Sequence, residues 1–175
     1  KAMRAAADGH TLMLSTPAEM ILAPLSFSSA QYKAEDARAI IIIGRTNLML
    51  VTRKELPASN MAEFLALMKA SAAKPLTYCS PGIGSQYHLV AEKFNATAGV
   101  KSVHVPYSGF PQCVNDLTGG NTVDYAFLPM AGPFPGFVDS GSVKLIAVLG
   151  DTPSSRFPKA SLASASVRSR TASSG

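Results

Sequence analysis

The sequence predicts an α/β protein whose sheet is mostly parallel. Strand-like and helix-like segments alternate between residues 76 and 148, and the two helical segments in this region end at glycine. Strands that are separated by helices of this length pair in parallel through right-handed crossovers. With 175 residues, of which 47% are hydrophobic, the chain is long enough for one substantial core or two small ones.

The first fifty residues are predicted to form short elements. In order, they are the last turns of a helix at 1–7, a strand at 10–15, a short helix from Thr16-Pro17, and strands at 39–44 and 48–52. Gly9 has the position of a left-handed helix cap, and a hydroxyl before proline is typical of a helix start. The unbroken apolar segment 39–44 predicts a strand that is buried on both faces of a parallel sheet.

A more regular series begins at residue 60. Asn60 and Glu63 have the spacing of a capping box, and the apolar residues that follow recur at helical intervals. The next predicted elements are strand 76–80, helix 85–97, strand 102–106, helix 110–117, strand 123–128 and strand 143–148. Residues 159–175 are rich in serine and have no hydrophobic periodicity, so we expect a disordered tail there.

Charge and cysteine content exclude several functional classes. The formal net charge is +5, but residues 151–175 carry four of the sixteen Lys and Arg against one acid, so the rest is nearly balanced. Without a basic helix or aromatic residues among cations, no nucleic-acid partner is predicted. No apolar run approaches the roughly 18 residues that span a membrane, which predicts a soluble domain. Cys79 and Cys113 have no metal-ligand spacing, and we expect no disulfide framework from them.

The segment Ser80-Pro81-Gly82-Ile83-Gly84-Ser85-Gln86, called the glycine loop below, connects a predicted strand to a predicted helix. Such a turn brings amide N–H groups and the positive end of a helix dipole to one point, which favours an anion. We expect the amides of Gly84, Ser85 and Gln86 to bind a carboxylate, with serine hydroxyls beside them. A phosphate is disfavoured because the Walker lysine is absent and the glycines do not match the dinucleotide pattern. A tight turn alone is the alternative explanation for these glycines.

A cysteine nucleophile is the catalytic alternative. Cys79 precedes the glycine loop, and His88 and His104 follow it nearby, but a reactive thiolate needs a histidine within hydrogen-bond reach. Cys79 is expected to end a strand, where a small buried hydrophobic role is more common. We therefore predict no catalytic residue, and a cysteine-dependent hydrolase using Cys79 remains the alternative.

Four stretches of the sequence resemble one known family in the same order. They are "ADGHTLML", "LTYCSPGIGSQYHLVAEKF", "VHVPYSGFPQCVNDLTGGNTVDYAF" and "GSVKLIAVLGDTPSSRFP". The sequence resembles the Bug-type solute-binding proteins, which are extracytoplasmic receptors of the tripartite tricarboxylate transporter system. Because the family has an additional strand and loop before residue 1 and further elements after residue 158, the resemblance also implies truncation at both ends.

The resemblance implies a two-lobed fold of the periplasmic-binding-protein type II class. Lobe one would contain residues 1–50 and 143–158, lobe two would contain 51–142, and 159–175 would lie outside the family pattern. In such receptors the ligand carboxylate lies between the lobes and is bound mostly by backbone donors, without a metal or cofactor. The ligand-binding residues carried over from the family are Thr16, Ser80, Gly82, Gly84, Ser85, Gln86, Tyr107, Gly109 and Phe127.

The implied function is that of a non-catalytic, monomeric receptor in the periplasm, which delivers a small organic carboxylate to membrane permease subunits. A truncated remnant without ligand binding is a second alternative, because the ends of the chain depart from the family. Glu19 follows Thr16 closely, and a carboxylate there would disfavour an anion. Glu19 must therefore point away from the site or indicate a different ligand.

Overall fold

The computed structural model describes residues 5–6, 8–120, 122–150, 154–158 and 160–162. By its internal contacts the chain divides into two compact units. The first is Lys1–Arg45 with Gly84–Gln86, and the second is Thr46–Ile83 with Tyr87–Gly175. Most of the helix expected at 1–7 and of the tail expected at 159–175 lies outside the described residues.

The helices are short and the strands form a single sheet. The helices are α1 (Ala23–Ser26), α2 (Met61–Ala70), α3 (Gln86–Ala98), α4 (Phe110–Gly119) and α5 (Phe134–Asp139), with a π-helical turn at Ala18–Leu22 and a 3-10 turn at Ala34–Asp36. The strands are β1 (Leu48–Arg53), β2 (Thr77–Ser80), β3 (Val103–Pro106), β4 (Tyr125–Pro129), β5 (Val143–Leu149) and β6 (Ser161–Leu162). None of the described helices is long and apolar enough to cross a membrane.

The six strands lie in the order β3-β2-β4-β1-β5-β6. Strand β2 is parallel to both β3 and β4, and β5 is parallel to β6. Strand β1 runs antiparallel to β4 and β5. Three of the five pairings are therefore parallel, which confirms the predicted α/β class.

Each face of the sheet carries its own hydrophobic cluster. Helices α2 and α3 cover one cluster, which includes Phe64 and Tyr78, and helices α4 and α5 cover the other, which includes Leu117. Adjacent residues of β1 belong to opposite clusters, since Leu50 packs with the first and Val51 with the second. This alternation is expected for a strand whose successive side chains point to opposite faces.

The local signals predicted several helix ends. Asn60 caps α2, because its side-chain oxygen accepts a hydrogen bond from the Glu63 amide at 3.0 Å. The Glu63 carboxylate accepts the Ser59 amide at 2.7 Å, whereas the predicted capping box would use the amide of Asn60 itself. Gly99 after α3 and Gly120 after α4 both have the positive φ of left-handed caps.

Two predicted strands are absent from the first unit. Residues 10–15 and 39–44 have no regular secondary structure, and neither segment is paired into a sheet with any described part of the chain. The side chains of Ile40, Ile41, Ile42 and Ile43 are 69–78% exposed, so the expected burial on both faces is wrong. An apolar run predicts a buried strand only when neighbouring strands satisfy its backbone, and the sequence pattern does not show whether they do.

The sequence pattern did not predict α5. Helix α5 has only six residues and includes Pro135 and Gly136, which weaken a helical pattern, although proline is tolerated in a first turn. Strand pairing joins β5 to β1 in the sheet that holds β2–β4. The assignment of residues 143–158 to lobe one, and with it the division of the chain into two lobes, stays a prediction.

Candidate functional site

The carboxyl ends of three parallel strands meet at one edge of the sheet. Ser80 at the end of β2 is in register with Pro106 at the end of β3, and β4 lies on the other side of β2. Helices α3, α4 and α5 begin shortly after these strands end. Loops at this edge are where open α/β sheets bind ligands, so the predicted glycine loop occupies the expected position.

Ser80 fastens the start of the glycine loop to the sheet. Its buried hydroxyl lies 2.9 Å from the Gly82 carbonyl oxygen and 2.7 Å from His104 Nε2, and it accepts the Gly82 amide at 3.2 Å. The Tyr107 amide donates to the Ser80 carbonyl at 3.0 Å. The predicted site residues Ser80 and Gly82 are thus joined, and the Ser80 hydroxyl holds the shape of the loop.

The loop requires glycine at two positions. Gly82 has a φ of 147° and Gly84 a φ of 76°, which L-residues rarely adopt. A Cβ atom at Gly84 would also lie 3.1 Å from the Cζ atom of the Phe27 ring. These conformations turn the chain sharply between β2 and α3.

The three amides that the sequence predicts as anion donors stand at the start of α3. Gly84 and Ser85 precede the helix directly, and Gln86 is its first residue. N–H groups in this position lie at the positive end of the helix dipole. These three consecutive residues thus lie at the start of α3, as predicted, while their contact with a ligand stays a prediction.

Tyr107 and Gly109 stand before α4 at the same edge. The Tyr107 hydroxyl donates to the Asp116 carboxylate, and burial together with this hydrogen bond raises the pKa of Tyr107 to about 12. Gly109 caps α4 with an extended backbone that any residue could adopt. The hydroxyl of Tyr107 is therefore engaged within the protein, and a ligand contact of Tyr107 or Gly109 would use other atoms.

Phe127, which the resemblance predicts as a ligand-binding residue, lies in the core. Its side chain is 1% exposed, and its ring packs edge-to-face against Phe94 and Tyr125. The residue lies in the middle of β4 rather than at its end. The structure therefore gives the Phe127 side chain a packing role.

Thr16 and Glu19 form a contact of their own in the first unit. The same Glu19 carboxylate oxygen accepts the Thr16 amide at 2.9 Å, the Thr16 hydroxyl at 3.2 Å and the Ser15 hydroxyl at 3.0 Å. These hydrogen bonds, first among them that of the Thr16 amide, lower the pKa of Glu19. Glu19 thus points back to Thr16, and Thr16 can donate to a ligand only if Glu19 moves.

A stack of aromatic rings lies beside Ser80. The rings of Tyr78 and His104 are 4.8 Å apart, and those of His104 and His88 are 4.2 Å apart. Burial, with a further contribution from the nearby His88, lowers the pKa of His104. Burial and a hydrogen bond to Glu92 raise the pKa of Tyr78. His104 therefore has the hydrogen-bonded structural role that the sequence favoured over catalysis.

Cys79 and Cys113 form a disulfide, so the prediction that they form none is wrong. Their Cα atoms are 5.6 Å apart, and both residues are buried between β2 and α4. The pairing is non-local, with 34 residues of separation, and two cysteines alone did not reveal it. An extracytoplasmic resemblance combined with two cysteines was the available signal. A disulfide sulfur is not a thiolate, which removes the proposed nucleophile.

The described residues contain no cluster of three or more His, Cys, Asp and Glu that could hold a metal ion.

Comparison with known proteins identifies the family. The model of the family described as "Tripartite tricarboxylate transporter family receptor" matches residues 1–172. The chain belongs to this receptor family. The members of this family are described as receptors of a transporter rather than as enzymes, which confirms the non-catalytic prediction. Their class implies a location outside the cytoplasm.

Two curated relatives show what share of a receptor's length this chain covers. BugT of Bordetella pertussis is 31% identical over 158 residues, which are 89% of this chain and 47% of BugT. A UPF0065 protein from the gbd 5' region of Cupriavidus necator is 31% identical over 154 residues, covering 87% of this chain and 45% of that protein. The chain spans about half the length of these curated relatives.

Solved structures confirm the fold. The periplasmic binding protein BugD is 26% identical, with a TM-score of 0.64 over 69% of this chain and 40% of BugD. An R. palustris protein solved with adipate is 24% identical, with a TM-score of 0.82 over 94% of this chain and 54% of that one. MatC of Rhodopseudomonas palustris, solved with malate, is 21% identical, with a TM-score of 0.70 over 82% of this chain and 48% of MatC.

Proposed function

We propose that the chain is part of a non-catalytic solute receptor. This receptor binds a small organic carboxylate through the glycine loop and delivers it to a membrane permease. The observation that carries the proposal is the strand-to-helix geometry of residues 80–86 in a member of a tricarboxylate receptor family. On this proposal the receptor acts as a monomer in the periplasm.

The chemistry of the loop supports a carboxylate. Amide donors before a helix start are placed for a negatively charged oxygen, and each charge-assisted hydrogen bond is worth about 1.5–3 kcal/mol. Gly82 and Gly84 allow the backbone to approach a ligand without side chains in the way. A receptor needs only such pre-placed donors, and it needs no nucleophile.

The relatives support the size and class of the ligand. Two proteins that share the fold were solved with adipate and with malate, which are both small dicarboxylates. The family is described as the receptor of a transporter, and this description supports a permease as the partner. The remnant alternative differs from the proposal only in lacking ligand affinity.

A thermal-shift screen tests the proposal. The panel contains citrate, malate, adipate, glutamate and benzoate, and a ligand at 100 times its Kd should stabilise the fold by about 2.7 kcal/mol. For a domain of this size we expect a shift of several degrees. A clear melting transition that no acid shifts would support the remnant alternative.

Two glycine variants then locate the binding site. Gly84→Ala adds a side chain to the glycine loop, whereas Gly141→Ala adds one after α5, where nothing lies within 4 Å. Both positions have a φ near 70°, at 76° and 70°, so the backbone strain is matched. We expect Gly84→Ala to abolish the ligand-induced shift and Gly141→Ala to retain it. Equal shifts in both variants would place the binding site elsewhere.

A further inference from the structure

Three aromatic side chains form a row across the first turns of three helices. Tyr87 is the second residue of α3, Phe110 the first of α4 and Phe134 the first of α5. The ring centroids of Tyr87 and Phe110 are 4.7 Å apart, and those of Phe110 and Phe134 are 4.9 Å apart. All three residues are half-buried. They are called the aromatic row below.

The aromatic row lies beyond the carboxyl ends of the strands. Tyr87 packs with the cluster under α2 and α3, whereas Phe110 and Phe134 pack with the cluster on the opposite face. Rings on opposite faces of a sheet cannot touch through it, so the contact of Tyr87 with Phe110 passes over its edge. This is the edge at which β2 runs into the glycine loop.

Other groups at this edge reinforce its apolar character. Ile83, in the middle of the glycine loop, is 67% exposed. Three hydroxyls of this edge are hydrogen bonded within the protein, since Ser80 bonds His104, Tyr107 bonds Asp116 and Ser108 bonds Gln112 at 2.9 Å. A ligand hydroxyl placed against these rings would lose its hydrogen bonds to water, whereas an apolar skeleton would gain from burial.

We propose that the preferred ligand is a carboxylate with an apolar, ring-shaped body, whose charge lies on the glycine loop while its body packs against the aromatic row. The proposal rests on the function proposed above and narrows its substrate class. Flat rings suit this surface because aromatic pairs favour offset-stacked or edge-to-face contacts, which Tyr87 and Phe110 can extend to a third ring. Hydroxylated acids such as malate and citrate fit the same amides but not the aromatic row.

Isothermal titration calorimetry with four probes tests this preference. The probes are benzoate, cyclohexanecarboxylate, malate and citrate, each titrated into the oxidised chain. We expect benzoate to bind at least about tenfold more tightly than malate or citrate, the size of effect typical for one well-filled apolar subsite. Malate or citrate binding more tightly than both ring acids would overturn the proposal and leave the receptor function intact. Binding of none of the four, with none of the wider panel binding either, would overturn the function itself.

Substitutions in the aromatic row separate its role from that of the loop. Phe110→Ala should weaken benzoate about tenfold and change malate affinity less than about threefold. Phe94→Ala is the matched control, because Phe94 is also half-buried but lies in the third turn of α3, away from the helix start. If Phe110→Ala fails to fold, Tyr87→Leu keeps apolar volume and should still weaken benzoate. An equal loss for benzoate and malate would contradict the proposal.

Discussion

Gly84 and Gly109 stand at the starts of neighbouring helices, but only Gly84 depends on being glycine. Gly84 has a φ of 76°, and a Cβ atom there would meet the Phe27 ring, whereas the backbone of Gly109 is extended. A Cβ atom at Gly109 would lie 3.6 Å from Pro111 Cδ, which is an ordinary van der Waals distance.

We expect Gly84→Ala to lower the free energy of unfolding by about 1–3 kcal/mol, because alanine must adopt a left-handed backbone against an aromatic ring. Gly109→Ala should change it by less than about 0.5 kcal/mol. Urea unfolding of both variants measures the difference. Equal stability of the two variants would show that the loop adopts another conformation.

His104 makes stability depend on pH. Burial and the nearby His88 lower the pKa of His104 from its ordinary value of 6.5, while Glu92 opposes this shift. Below about pH 6.5 the unfolded chain therefore binds a proton at His104 more readily than the folded chain does. Acidification through this range destabilises the fold, and above it His104 contributes no pH dependence.

We expect the free energy of unfolding to decrease from pH 7 towards pH 5 less steeply in His104→Gln than in the unmodified chain, since glutamine cannot titrate. Urea unfolding at several pH values measures both slopes. His10→Gln is the control, because His10 is exposed and should leave the slope unchanged. Identical slopes in all three proteins would assign the pH dependence to other groups.

The backbone conformation of the loop glycines was easier to predict from the sequence than the roles of individual side chains. Positive φ at Gly82 and Gly84 follows from a short turn between strand and helix, which is a local property. The burial of the Phe127 side chain is not a local property, because it depends on which face of β4 the residue occupies and on what packs there. The partnership of Thr16 with Glu19 follows the spacing of a capping box, which is a local sequence signal.

At the scale of elements, the disulfide ties the end of β2 to α4. Cys79 directly precedes Ser80, and Cys113 lies in the first turns of α4, so the bond joins two elements that border the candidate site. It is non-local in sequence and belongs to the cluster on the α4 and α5 face. The cross-link therefore restrains the unfolded chain and helps to position the glycine loop.

We expect reduction of the disulfide to lower the free energy of unfolding by about 2–4 kcal/mol, because it opens a loop closed over a separation of 34 residues. Guanidinium unfolding with and without reductant measures this loss. The double variant Cys79→Ala/Cys113→Ala should be insensitive to reductant. Free thiols in the folded, unreduced chain, detected by alkylation and mass spectrometry, would contradict the bond.

Elements with strong local periodicity were predictable, and those that depend on partners were not. Helix α2 carries both a cap and a helical apolar pattern, and its start was predicted to the residue. Segment 39–44 carries an equally strong apolar pattern, yet it forms no strand because pairing depends on other segments. Helix α5 was not predicted, because its six residues include a proline and a glycine and are too few to show a helical apolar pattern.

At the scale of the whole molecule, the sheet order determines where function can lie. Strands β3, β2 and β4 are adjacent and parallel, so their three following loops share one edge. The glycine loop, the start of α4 and the aromatic row all belong to this edge. The alternation of strands and helices predicted this edge, whereas the antiparallel insertion of β1 between β4 and β5 had no sequence signal.

Carboxylate binding by the glycine loop can be observed residue by residue in an NMR titration. In the ¹⁵N-labelled chain, the acid that most raises the melting temperature should shift the amide signals of Gly82, Gly84 and Gln86 in a saturable way. Glycine amides resonate apart from most others, so the signals of Gly82 and Gly84 can be followed individually. The amides of Gly99 and Gly141, which follow α3 and α5, should not move. Saturable shifts that spare the glycine loop, or no saturable shift with any acid, would show that this loop does not bind a carboxylate.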